Sequence, residues 1–439
     1  MFISASESEA RGVVRRRRAA TGLTAGVTAS AALAASVLGT GPASAAGDAD
    51  GPSKAGTVRT PFALEGLAFG TQARGQTVPV QSSQTALVVL KCTKDAGIDR
   101  SRGVANDDLV GLGQASGIAT RTWTTSKQGV VTSHARSKIG DLTVANVAGG
   151  LTVEALVVTT RTWHDDEGYH RAHGFRLAGL SGEVGGVPIE LPAPADIDPG
   201  QTISIPGILR ATFDERSGTV TRRGAQATST GLVIELADGS KVSAGRAQTA
   251  ISGGVVGGLL GGRAQSVRGS GLVETKNVVK KSVSCRGTDG EWRNEAAAAF
   301  TQPGLEVGAT TVGAFGDQLG QGEAVVRTRA RSARVEIGDE QIVVTAIRAQ
   351  SNVVRDGDRY TRTSDGTHLG SLTVNGQERP LPSPGESLVV PGVARITPGV
   401  VARTSQGITV VGLRIELLEG GEIVETLDIA KTNAHIDNR

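Results

Sequence analysis

Apolar stretches in this chain are short and punctuated by glycine, and where a period can be read it is two. Val411, Leu413, Ile415 and Leu417 alternate with Gly412, Arg414 and Glu416, as on a strand with one face on a core and the other in water. Leu151-Thr152-Val153-Glu154 opens the same way, then becomes apolar on both sides through Val158 before ending in Thr159-Thr160-Arg161-Thr162-Trp163. On such strands the apolar residues are expected to face the core, and Thr, Arg and Glu to face water. Outside the N-terminal 45 residues no segment holds an apolar period of 3.6 for three turns. Asp356-Gly357 and Asn375-Gly376 supply the positive-φ residues that two-residue hairpins need. Pro206 and Pro391, each followed by Gly, mark strand edges or bends. The pattern predicts an all-β protein built of antiparallel sandwiches.

The pattern is also written twice. Gly231-Leu232-Val233-Ile234-Glu235-Leu236 returns as Gly412-Leu413-Arg414-Ile415-Glu416-Leu417, and Ile205-Pro206-Gly207 returns as Val390-Pro391-Gly392. Cys92 corresponds to Cys285, Ala135-Arg136-Ser137 to Ala330-Arg331-Ser332, and Asp165, Tyr169 and Arg171 to Asp356, Tyr360 and Arg362. Leu191-Pro192-Ala193-Pro194 corresponds to Leu381-Pro382-Ser383-Pro384. Two tandem β domains are therefore expected, 61–252 and 263–439, joined by a Gly-rich linker at 253–262 and preceded by a short linker at 46–60. The six glycines between Gly253 and Gly262 would cost a helix about 1 kcal/mol each relative to Ala, so a membrane span there is not expected.

Residues 1–45 read as a signal peptide. Arg15 to Arg18 form a basic start, an Ala/Thr/Val/Leu stretch follows, and Ala43-Ser44-Ala45 is a small-residue cleavage site. Glycines interrupt the apolar part, which falls short of the ~20 residues a transmembrane helix needs, so no membrane anchor is expected in the mature chain. The five Arg and two Glu of this leader account for the whole formal charge of +3. With basic and acidic side chains otherwise balanced and interleaved, nucleic acid is not an expected partner. Only 3% of the residues are aromatic, so the cores are expected to be Val, Ile, Leu and Ala.

Cys285-Arg286-Gly287-Thr288-Asp289-Gly290, Pro303-Gly304-Leu305, Leu372-Thr373-Val374-Asn375-Gly376 and Val390-Pro391-Gly392 resemble the choice-of-anchor P domain of secreted and surface proteins of actinobacteria. The resemblance spans each repeat. It implies a β-rich extracellular module and brings no catalytic residues. The end of the chain, Lys431 to Arg439, carries no sorting motif, apolar span or basic tail, which favours free secretion or association by binding.

Few residues suggest chemistry. Cys92 and Cys285 are a candidate disulfide: export favours a bond, but corresponding positions of two repeats meet only if their Cα atoms come within roughly 7 Å about a pseudo-twofold axis. The alternative is two separate buried thiols. His164, Asp166 and His170 are the candidate metal ligands in a His/Asp-rich hairpin tip, although the second repeat places Arg355, Gly357 and Thr361 there; no metal or cofactor is expected. Trp163 beside that tip is either a platform for a sugar ring or a core or cross-strand Trp, and burial of a ring favours the latter. No Gly-x-Ser-x-Gly elbow occurs. The expected function is thus a non-catalytic secreted or cell-surface protein that contacts an extracellular protein or glycan. The alternative is a secreted hydrolase with its site between the two repeats.

Overall fold

Strands make up nearly every regular element in the described residues, which are 56–74, 84–109, 111–146, 149–271, 279–302, 304–338 and 341–438 of a computed structural model. The segment read as a signal peptide (1–45) and most of the expected linker at 46–60 lie outside them. Among the described residues the one short helical element is a 3-10 turn at Pro194–Asp196, inside the Pro-rich link. No described helix is long and apolar enough to cross a membrane.

The first half runs through β1 (Val58–Arg74), β2 (Val88–Ala96), β3 (Asp99–Asp108), β4 (Gly113–Lys127), β5 (Val130–Asn146), β6 (Gly149–Asp165), β7 (Gly168–Arg176), β8 (Gly179–Val184), β9 (Val187–Ile189), β10 (Thr202–Ile205), β11 (Leu209–Thr221), β12 (Gly224–Leu236) and β13 (Lys241–Ser252). Sheet I has the order β10-β11-β12-β13-β1-β2; sheet II has the order β3-β4-β5-β6-β8-β9, with β7 also on β6. All pairings are antiparallel. The two sheets stack, β1, β12 and β13 lying over β4, β5 and β6, and enclose Leu142, Leu156, Val158, Phe213, Leu232 and Ile234.

The second half contains β14 (Leu259–Gly271), β15 (Lys280–Val283), β16 (Arg293–Ala297), β17 (Phe300–Gln302), β18 (Leu305–Val307), β19 (Thr310–Gly320), β20 (Glu323–Ile337), β21 (Ile342–Asp356), β22 (Arg359–Thr363), β23 (Leu372–Val374), β24 (Gln377–Arg379), β25 (Leu388–Val390), β26 (Ala394–Arg403), β27 (Gly407–Glu419) and β28 (Glu422–Asp437). Sheet III reads β25-β26-β27-β28-β14-β15, and sheet IV reads β16-β19-β20-β21-β23-β24 with β22 on β21. These are the orders of sheets I and II. The second sandwich adds the small β17-β18 pair against β20. Residues 259–262, read from sequence as linker, are the start of β14, so the crossing is 253–258. That segment is pinned: Gln318 accepts from the Gly257 amide (2.7 Å) and donates to Gly258 (2.9 Å), and Arg355 donates to the Gly257 carbonyl (3.0 Å).

Turn chemistry matches the sequence at the two Pro-Gly sites and at Asn375-Gly376, but not at Asp356-Gly357: Asp356 is still paired with Arg359, and the β21-β22 turn is Gly357-Asp358 with Gly357 at φ 59°. Pro206-Gly207-Ile208 closes the β10-β11 hairpin (Ile205 opposite Leu209), and Pro391-Gly392-Val393 closes β25-β26 (Val390 opposite Ala394). Asn375 and Gly376 both adopt positive φ, at 50° and 75°, between Val374 and Gln377. Side-chain direction differs from expectation in one respect. Thr120, Thr122, Thr124, Thr160 and Thr162 face the interior of the first sandwich, all nearly or fully buried. The intervening Arg and Trp face outward. A threonine side chain is short enough to sit between close-packed sheets and offers its methyl to the core, whereas an indole or guanidinium beside it needs the open face.

Candidate functional site

The two sandwiches are joined covalently. Cys92 and Cys285 are disulfide-bonded with Cα atoms 5.5 Å apart, across 193 residues of sequence. Cys92 lies on β2 and Cys285 follows β15, so corresponding edges of the two halves meet there. Ala63, Val255 and Leu259 pack around the bridge. Glu65 of β1 points at it: Oε1 accepts from the Cys285 amide (3.1 Å), lies 3.4 Å from Cys92 Sγ and touches Cys285 Sγ. Among the described residues these three side chains form the one convergent set of metal-ligand atoms, but sulfurs bonded to each other are not thiolates and cannot ligate as such.

Burial pushes the Glu65 carboxyl above its ordinary 4.5, against the pull of the Cys285 amide hydrogen bond. Between 4.5 and the raised folded-state value the unfolded chain has lost a proton that the folded chain keeps, so stability falls as pH rises through that window. Glu65→Gln retains an acceptor for the amide and cannot ionise. Urea unfolding from about pH 4.5 to about pH 8 should therefore show a flatter decline for the variant than for the native chain; equal slopes would show that Glu65 is ionised in the folded state.

Beside the bridge the halves enclose a cleft of about 440 Å³ that receives Glu65, Lys91, Arg263, Ser282, His435 and Asp437. His435 and Asp437 sit two residues apart on β28 and thus share a face. The imidazole lies over Gly261, where a Cβ would come within 2.3 Å of it. Burial holds its pKa below the ordinary value, Asp437 working against that and Lys91 adding to it. Among the described residues no hydrogen bond joins Ser282, His435 and Asp437.

A second constellation lies on the outer faces of sheets II and IV, away from the cores. The three tryptophans of the chain are all here, half-buried. On sheet II the Arg121 guanidinium sits 4.9 Å from the Trp123 ring centroid, and Trp123 stacks on His134 across the strands (4.6 Å, 3° between planes). Arg161 sits 4.4 Å over Trp163, which stacks on His170 (5.0 Å, 15°). Asp165 ties the end of the row, accepting from Trp163 Nε1 at 3.0 Å and lying 2.8 Å from His170 Nε2. Burial, with Arg161 and Arg121 nearby, lowers the His134 pKa to about 4, so its ring is neutral near pH 7. On sheet IV, Arg329 lies 4.0 Å over Trp292, Arg327 lies 5.7 Å from Phe315, and the two aromatic rings are 5.5 Å apart.

The candidate metal residues His164, Asp166 and His170 are not brought together. In the β6-β7 hairpin His164 stands opposite Tyr169, and Trp163 opposite His170. His164 therefore points inward, 4.5 Å from both Phe62 and Tyr169, while His170 points outward onto Trp163. Asp166 is exposed at the tip. The carboxylate that reaches His170 is Asp165, one residue earlier. Trp163 is a cross-strand Trp, on the outer face. The sequence signal for that row is the tripeptide Arg-Thr-Trp, present at 121–123 and 161–163: in a strand it places Arg and Trp on one face and Thr on the other.

No protein-family profile, no characterised protein and no solved structure matches the chain.

Proposed function

We propose that the chain is a non-catalytic extracellular binding protein, two repeats of one β domain of the choice-of-anchor P type, that presents its outer sheet faces to a cell-surface polymer or protein. The observation that carries this reading is the placement of all three tryptophans on outer faces, held there by Arg and His stacks. Burying an indole in a core removes roughly 150–250 Å² from water; a chain with few aromatics that leaves every Trp half-open gives up that gain at positions suited to contact. The common strand order of the halves supports reading them as repeats, and the covalent bridge suits a protein exported to an oxidising compartment.

The test is retention of the purified chain on isolated actinobacterial cell walls. Binding without release of soluble fragments is expected, and Trp163→Ala and Trp292→Ala should each weaken it about tenfold, as for an interface anchor. Equal retention by native chain and variants would overturn the role of these faces. The gathering of Ser282, His435 and Asp437 in the cleft favours a hydrolase as the second reading. Release of wall fragments, abolished by His435→Ala, would establish it.

A further inference from the structure

The outer face of sheet IV carries charge that the fold itself leaves uncompensated. Arg327, Arg329 and Arg331 project outward from β20 at every second residue, about 6.8 Å apart at strand rise. Across on β21 stand Asn352, Gln350 and Arg348, opposite them in that order. Arg331 and Arg348 are thus a directly opposed pair of like charges, an arrangement that destabilises a sheet. Among the described residues no carboxylate lies within ion-pair distance of any of the four, and Arg348 Nε has no hydrogen-bond partner. Burial first, then Arg331 and Arg348, holds the Arg329 pKa below its ordinary value, and burial followed by Arg331 does the same to Arg348. On sheet II Arg121 and Arg136 are likewise directly opposed, but there Arg121 has a counterion in Asp99.

These cations are also positioned. Arg329 is stacked on Trp292 and donates to Asn294 Oδ1 (3.0 Å). Gly313, opposite it on β19, leaves the path open: a Cβ there would lie 2.6 Å from Asn294 Oδ1 and 3.0 Å from Arg329 Nε. Along β21 a chain of neutral donors and acceptors runs from Arg348 to Gln350 (3.0 Å), on to Asn352 (2.9 Å) and then to the Asp365 carbonyl (3.0 Å). Guanidinium forks held in a row match repeated carboxylates, and a parallel row of amides matches hydroxyls. The aromatic rings lie under the Arg side chains and steady the cations.

We propose that this face of sheet IV binds an acidic polysaccharide, with its carboxylates on Arg327, Arg329, Arg331 and Arg348 and its hydroxyls on the Gln350 and Asn352 amides. The proposal rests on the reading of the chain as an extracellular binding protein and names its ligand class. The anion would supply the countercharge that the sheet lacks, and screening by salt should weaken the complex.

The experiment is titration of the full chain with polygalacturonate, with neutral dextran and duplex DNA as comparison probes, at low and high salt. Binding of polygalacturonate alone is expected, weakened by salt and weakened at least about tenfold in Arg331→Gln/Arg348→Gln, since each lost guanidinium removes a charge-assisted bond. Relief of the like-charge pair should leave the melting temperature of that variant equal or higher, which separates lost binding from lost fold. Unchanged affinity in the variant, DNA binding as tight as polygalacturonate binding, or no polygalacturonate binding at low salt would overturn the proposal. If cell-wall retention persists and depends on Trp163 while polygalacturonate fails to bind, the binding-protein reading stands and only this ligand assignment falls.

Discussion

Replacing Cys92 and Cys285 together by alanine should lower the unfolding free energy by about 5 kcal/mol, the chain-entropy value for freeing so long a loop. The closed segment, 193 residues in separation, contains β3 to β13 and of the second sandwich only β14 and β15. The loss should therefore fall on the first sandwich. If that half unfolds while the second stays folded, the native bridge still ties Cys92 to a fixed point and restricts the unfolded segment; without it, the segment is anchored only at Leu259. The two cores are separate clusters, and apart from the bridge the halves share the small patch of Ala63, Val255 and Leu259 and a few hydrogen bonds such as Lys94 to the Val255 carbonyl (2.6 Å). Calorimetry should show the first sandwich melting earlier and apart from the second, and hydrogen exchange should show β3 to β13 losing protection first. An unchanged profile in the double variant would mean that the sandwiches are coupled through noncovalent contacts alone.

Which parts of this architecture could be read in the sequence follows from where the period of two survives. β27 keeps strict alternation over Val411 to Leu417 apart from one step, and its pairing with β26 and β28 follows from it. β6 does not. Leu151 and Val153 face the core, then Leu156 and Val158 do, an odd step that makes the run look apolar on both sides. The cause is a local kink without any register shift: Ile139 stands opposite Leu156 and Asp141 opposite Glu154, and Ala155 between them takes φ 49°. β21 repeats the device, with Ala346 at φ 51° between Val344 and Ile347. A residue in the left-handed region breaks the extended backbone that alternation depends on, and alanine there carries no sequence mark as glycine does. The threonine-lined interior hid for a different reason. Thr120-Arg121-Thr122-Trp123-Thr124 is polar at most positions, so composition cannot say which of Thr or Arg is inside; only the closeness of the opposing sheet decides. The pairing of His170 with Asp165 rather than Asp166 depended on the hairpin register, which places Trp163 opposite His170.

The repeated glycine of the Gly-Leu-x-Ile-Glu-Leu segments has a physical reason that gives the second large prediction. Gly231 and Gly412 lie where one sheet comes close to the other. A Cβ on Gly231 would stand 2.4 Å from Val158 Cγ2 and 3.0 Å from Leu156 Cδ1, and Gly245, its neighbour on β13 at φ 68°, meets the same two side chains. Val158 and Leu156 are therefore wedged into a notch made by two glycines. In the second sandwich the corresponding side chains are Ala349 and Ile347, and Ala430 takes the place of Gly245. The smaller Ala349 leaves room for that methyl: a Cβ on Gly412 would be 3.0 Å from Ile347 Cγ2 and 3.3 Å or more from the two alanines. Gly231→Ala should accordingly destabilise by about 3 kcal/mol, near the top of the usual range for overpacking, because Val158 is fully buried and β-branched, with one stiff rotamer to give. Gly412→Ala should cost about 1 kcal/mol, since a shift of a few tenths of an ångström accommodates the methyl. Adding Val158→Ala to Gly231→Ala reproduces the second sandwich's solution and should recover part of the loss, a coupling of about 1 kcal/mol or more in a double-mutant cycle. Denaturant midpoints of the four chains measure it. Equal costs at the two glycines, or strict additivity of the pair, would show that the sheets part locally rather than clash, and that the glycines are kept for the bend of the strand and not for the space they leave.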